Sequence, residues 1–256
     1  MRSAVLVLTA LLMSSCAALS AGPAGEPDYA TQAAENLALG EAALEDKDFL
    51  KAEKYFEHVR TKFPYLEAAR EAELKLADLD FAREMYPEAR DKFDSFIKLH
   101  PTHPKVDYAA YRAALSYVEE FPSEFFALPP SYEKEQKPMY DALRAMNGFL
   151  RQYPDSQYAK DAKVHADDAR QRLARHELYV ASFYAKRERW KAVVQRLEGL
   201  LKDYPGTPLE EEALFNLHDA YVKLNDAERA QNTLREVLKR LPGTPAAQRA
   251  QKMLGS

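Results

Sequence analysis

The stretch "LGEAALEDKDFLKAEKYFEHVRTKFP", residues 39–64, decides the fold. Gly40 and Ala52 are small residues that let two paired helices approach closely. Phe49 and Phe56 are large ones that fill the space beside them. Pro64 ends the second helix, because proline lacks the N–H that a helix interior uses and its ring clashes with the preceding turn. Counted back from Pro64, the unit begins at Ala33, with Leu39–Gly40 on its first helix.

The same punctuation recurs along the chain. "KLHP" (98–101), "RQYP" (151–154), "KDYP" (202–205) and "KRLP" (239–242) each follow an amphipathic stretch. With Pro64, the prolines fall at 64, 101, 154, 205 and 242, so they are 37, 53, 51 and 37 residues apart. A spacing of 37 fits the tetratricopeptide (TPR) helix–turn–helix repeat, whose period is about 34, with a slightly longer loop. The register repeats as Leu76–Ala77, Tyr86, Ala89 and Phe93 before Pro101. Before Pro205 it gives Val180–Ala181, Tyr184, Trp190, Val193 and Leu197. Before Pro242 it gives Leu217, Tyr221, Ala227, Ala230 and Leu234.

These positions predict an all-α TPR solenoid of five helix-turn-helix repeats, with a long insertion in repeat three. Repeats one and two occupy 29–103, repeat three 104–154, and repeats four and five with a terminal helix 155–256. In repeat three, helix A runs Asp107–Glu120 and helix B Met139–Tyr153, with Ala142, Met146 and Phe149 in register. Between them lies "FPSEFFALPPSYEKEQKP", residues 121–138. Its four prolines exclude a continuous helix, while Phe121, Phe125, Phe126 and Tyr132 make it unlike a solvated linker. Packing back on the solenoid and contact with a partner both fit such a loop. Residues 156–188 hold no Pro or Gly and read as one long helix or two meeting near Ala174. After Pro242, a short terminal helix caps the last apolar face.

The N-terminus reads as an export signal over residues 1–15. Arg2 precedes an apolar run of ten, Ala4–Met13, too short to span a bilayer, which takes about 20 residues. Cys16 is the only cysteine. An ordinary cleaved signal would leave a free thiol in an oxidising compartment, whereas lipidation of Cys16 consumes it. A lipoprotein signal is therefore expected, although Met13 stands where leucine is preferred. Residues 16–28, rich in Ala, Gly and Pro, form a flexible tether. No Asp follows the cysteine, which points to the outer membrane and its periplasmic face.

Composition narrows the function. Hydrophobic content is 46% with only 8 glycines, which suits a packed helical core. Charged residues of both signs are interspersed, the net charge is -4, and no basic patch appears, so nucleic acid is not a partner. His100 and His103 sit between prolines with no third ligand at a metal-site spacing, so they mark a turn, and no metal or cofactor is expected. His218 and Trp190 are expected in the core. No phosphate loop, nucleophile motif or HExxH occurs. Once the repeats are assigned, nothing longer than the insert remains for a catalytic domain, which excludes an envelope enzyme with a TPR arm. The solenoid offers a groove lined by its first helices, expected at Leu37, Glu41 and Leu44 in repeat one and Leu74, Asp78 and Phe81 in repeat two. Apolar residues mixed with carboxylates suit an extended peptide with aromatic side chains.

Residues 152–205 contain "YPDSQY", "RLARHELYVASFYA" and "WKAVVQRLEGLLKDYP". Residues 51–117 contain "FI", "HP" and "DYAAYRAAL" in order. Together these stretches resemble the BamD (ComL) family, the lipoprotein of the outer-membrane β-barrel assembly machinery, over about residues 29–242; the insert differs from the family's. The resemblance implies a non-enzymatic adaptor whose first repeats receive the C-terminal signal of unfolded outer-membrane proteins. It implies docking of the last repeats on the POTRA region of a BamA-like barrel protein, with Arg189 and Arg196 as contact candidates. Other lipoproteins of that machinery stay open as partners. A periplasmic TPR lipoprotein coordinating cell-wall or envelope factors is the alternative, against which "HP..DYAAYRAAL" and the long fourth-repeat helix weigh.

Overall fold

The computed structural model describes residues 29–121 and 131–255. The expected signal, Cys16, the whole tether, and Phe125 and Phe126 lie outside the described residues. Among the described residues eleven α-helices follow one another: α1 (Ala33–Glu45), α2 (Phe49–Lys62), α3 (Glu67–Ala82), α4 (Tyr86–Leu99), α5 (Val106–Glu119), α6 (Lys137–Gln152), α7 (Ala159–Ala185), α8 (Trp190–Asp203), α9 (Glu210–Lys223), α10 (Ala227–Arg240) and α11 (Pro245–Leu254). Each packs on the helix before and after it. The fold is a solenoid of five helix hairpins closed by α11.

The hairpin turns share one geometry. Lys47, Glu84, Glu188 and Asn225 stand two residues before the second helix of repeats one, two, four and five, with φ of 60°, 61°, 55° and 57°. In each, the next residue's N–H donates to a carbonyl five residues back: Asp48 to Ala43, Met85 to Asp80, Arg189 to Tyr184, Asp226 to Tyr221. This is the left-handed helix stop usually built on glycine, here built without one.

The small-and-large register does what its spacing predicts. Ala52, Phe56, Ala77, Ala89, Phe93 and Leu197 are fully enclosed. A Cβ on Gly40 would lie 2.5 Å from the Phe56 ring, so α1 and α2 approach to a distance that only glycine allows. Some register positions depart from full enclosure. Leu39 is 38% exposed, because its counterpart Leu76 is covered by repeat one and no described repeat precedes α1. Ala227, at the start of α10, faces solvent; a methyl there reaches nothing that Trp190 or Phe49 would reach.

Repeat three begins helix B at Lys137, two residues earlier than expected, with Pro138 in the first turn, where its missing N–H costs nothing. The described ends of the 121–138 segment pack back on the solenoid. Phe121 lies against the core under Arg172, and Tyr132 meets Tyr179 while its carbonyl contacts His176 Nδ1 at 2.6 Å. Residues 159–185 form one helix, with Ala174 fully buried at its middle. The core is divided. Repeats one, two and three each hold a small cluster, whereas repeats four and five, α11 and Met139 share one larger cluster.

Candidate functional site

The six expected groove positions do not form one open surface. Leu37 and Leu44 are half-buried against the repeat-one core, and Leu74 is enclosed, 1% exposed. The stripe expected on α3 turns inward because Leu74 packs with Ala77, Ala89 and Phe93. The polar members are engaged within the chain. Glu41 pairs with Lys75 at 2.6 Å. Asp78 accepts from the Tyr108 hydroxyl at 2.6 Å, and Arg112 Nε comes within 3.2 Å of it without hydrogen-bond alignment. The Arg112 guanidinium lies 3.8 Å from the Phe81 ring centroid, a cation–π contact.

Burial raises the Asp78 pKa, and Arg112 and Tyr108 only partly oppose that. The Tyr108 hydroxyl is pushed well above its ordinary value, first by burial and then by the Asp78 charge. Both hold their protons more tightly than free side chains do. Beside this network opens a cavity of about 330 Å3, lined by Glu71, Lys75, Asp78, Lys105, Tyr108 and Tyr158 among others. Its wall continues into an aromatic run: Tyr108 on Tyr158, and Tyr158 stacked on Tyr111 at 4.9 Å and 8°. Spacing alone missed Lys75, Tyr108 and Arg112. The one available signal was that Tyr108 and Arg112 lie four apart on α5 and so share a face.

The His100–His103 turn is more than a turn. Glu67, Glu71 and His103 bring ligand atoms within 4.8 Å of one another, and local spacing could not reveal this because α3 supplies both carboxylates. The proton pattern argues against a metal. His103 Nδ1 accepts the Lys105 N–H at 3.1 Å, so Nε2 carries the proton and donates to Glu67 at 2.5 Å. A metal on Nε2 would move that proton to Nδ1, where it would face another donor. Lys105 already neutralises Glu71 at 2.5 Å, and His100 meets Glu73 at 2.7 Å. The cluster clasps α3 to the loop between α4 and α5. Hydrogen bonding to His103 is the main cause that holds the exposed Glu67 carboxyl below its usual range.

At the other end, Arg189 is exposed at the start of α8. Arg196 is about half exposed and reaches Glu177 of α7 at 3.3 Å. Trp190 is half-buried, not enclosed as its register implied. His218 is partly covered, as expected, and pairs with Asp219 at 2.9 Å.

The YfiO family, described as outer membrane lipoprotein, matches residues 30–238. The chain belongs to that family. Among its relatives is the outer membrane protein assembly factor BamD of Haemophilus influenzae, 30% identical over 85% of this chain and 84% of that protein. BamD of Pasteurella multocida is 29% identical over 86% and 83%, and BamD of Neisseria gonorrhoeae 29% identical over 92% and 89%. A YfiO-family chain is thus matched by these relatives along nearly its whole length, both halves of the solenoid included. Among solved structures, the TPR2AB domain of yeast Sti1 in an Hsp90 complex aligns with 87% of this chain and 82% of that one, at 11% identity and a TM-score of 0.42. So loose a likeness adds nothing to what the helices themselves show.

Proposed function

We propose that this protein is an outer-membrane-anchored adaptor of the β-barrel assembly machinery, working as a non-catalytic scaffold at the periplasmic face. The observation that supports it most is near-full-length similarity to BamD proteins named as outer membrane protein assembly factors. Cys16 carries the lipid. The later repeats, with Arg189 and Arg196, dock on a POTRA-bearing barrel protein of the BamA kind. The first repeats take the C-terminal signal of unfolded outer-membrane proteins. Leu37, Glu41, Leu44, Leu74, Asp78 and Phe81 hold that face in shape, and contact falls at the neighbouring cavity rimmed by Lys75, Lys105 and Tyr108.

Native purification from membranes in mild detergent, with mass spectrometry of partners and of Cys16, tests the reading. A POTRA-bearing β-barrel recovered with an acylated Cys16 is the expected result. Recovery with cell-wall factors alone would replace it by a role in envelope coordination.

A further inference from the structure

A second trough, of about 420 Å3, lies between α7 and α9 with α8 beneath it. Its base is apolar, made by Ala181, Ala185, Val193, Leu197 and the indole of Trp190. Lys186 follows the last residue of α7, and Lys223 is the last residue of α9. These helices run parallel, each being antiparallel to α8, so both lysines stand at the same edge. Both are exposed, and among the described residues neither has a carboxylate partner. Asp219 is the one acid lining the trough, and His218 engages it at 2.9 Å.

The N-terminal cavity differs in kind. There Lys75 and Lys105 are spent on Glu41 and Glu71. Two uncommitted ammonium groups rimming an apolar base suit a ligand with an apolar side chain and a nearby carboxylate, since charge-assisted hydrogen bonds to such a rim are the strong ones. The lysines also offset the negative carbonyl ends of α7 and α9, without which a carboxylate would be repelled there.

We infer that the trough between α7 and α9 binds an extended segment of another protein, in which a large apolar residue lies over Trp190 and an adjacent acidic side chain meets Lys186 and Lys223. The trough lies on the later repeats beside Arg189, and its chemistry rests on these residues whether or not those repeats also dock on a barrel protein.

Trp190 is the chain's only tryptophan, so its emission reports on the trough directly. The full chain in mild detergent is titrated with a doubly blocked peptide, Ac-Gly-Ser-Phe-Glu-Phe-Ser-Gly-NH2, and with its twin carrying Gln for Glu. The expected result is a saturable change in Trp190 emission with the acidic peptide. Affinity falls about tenfold for the Gln twin and for a Lys186→Gln/Lys223→Gln variant, as expected when one charge-assisted contact is lost. The variant's melting temperature separates lost binding from lost folding. No saturable change, equal binding of the two peptides, or wild-type affinity in a folded variant would each overturn the inference. So would binding confined to a neutral peptide with a free C-terminal carboxylate, which would reassign the trough to chain ends.

Discussion

Gly40 carries a packing constraint that side-chain chemistry alone does not suggest. A methyl there would meet the Phe56 ring at 2.5 Å, and Phe56 is enclosed on all sides. Gly40→Ala is expected to cost about 1–3 kcal/mol through overpacking, visible as a lower melting temperature or as faster amide exchange confined to repeat one. The hairpin turns point the other way. Left-handed backbone costs a side chain about 1–2 kcal/mol, and glycine's extra chain entropy returns about 0.5–1 of that. Glu84→Gly, at φ 61°, should therefore raise stability slightly, while Gly206→Ala, at φ +76°, should lower it; paired thermal melts check both signs. Asp78 contributes a pH dependence. Its folded pKa is raised, so between the ordinary carboxylate value, near 3.9, and that raised value the folded state binds more protons than the unfolded one. Stability from this group therefore falls as pH rises through that window. The difference in melting temperature between wild type and Asp78→Asn should shift in favour of wild type as the pH is lowered into it. A pH-independent difference would show that Asp78 titrates normally.

At the level of helices, most of the architecture could be read from proline spacing and the small–large register, because close helix packing imposes a period that sequence displays directly. All five hairpins and the terminal helix stand where "TKFP" and its four counterparts place them. What could not be read is tertiary. Sequence left α7 undecided between one helix and two, since the absence of Pro and Gly permits both. Packing against α6 and α8 along its length makes it continuous. The inward turn of Leu74 and the clasp of His103 on Glu67 depend on which neighbour lies across the loop, and no local pattern encodes that. The joint between α5 and α7 is built from Tyr111, whose hydroxyl donates to Asp161 and whose ring stacks on Tyr158. Tyr158→Ala removes that stack and its contact with Tyr108. Tyr158 is half-buried, so a loss of about 1–3 kcal/mol is expected, below the range for fully enclosed aromatics, read as earlier urea unfolding of repeats three and four.

Over the whole molecule, stability is unevenly distributed. Each repeat of an array draws on its own packing and its nearest interfaces. Here the C-terminal hairpins and α11 share one large core, while repeats one to three divide theirs into small clusters. Amide exchange should be slowest within 173–250 and faster across 33–113, and uniform protection would contradict a divided core. The α7 helix gives this asymmetry a mechanical meaning. At 27 residues it is about 40 Å long at 1.5 Å per residue, roughly twice its neighbours, and it contacts α5, α6 and α8. It acts as a splint across the joint of repeats three and four, so bending is forced outward to the junctions on the N-terminal side. A chain held at its far end by a docked partner would swing its first two hairpins like the free length of a clamped ruler, sweeping them through a volume while the gripped half keeps its shape.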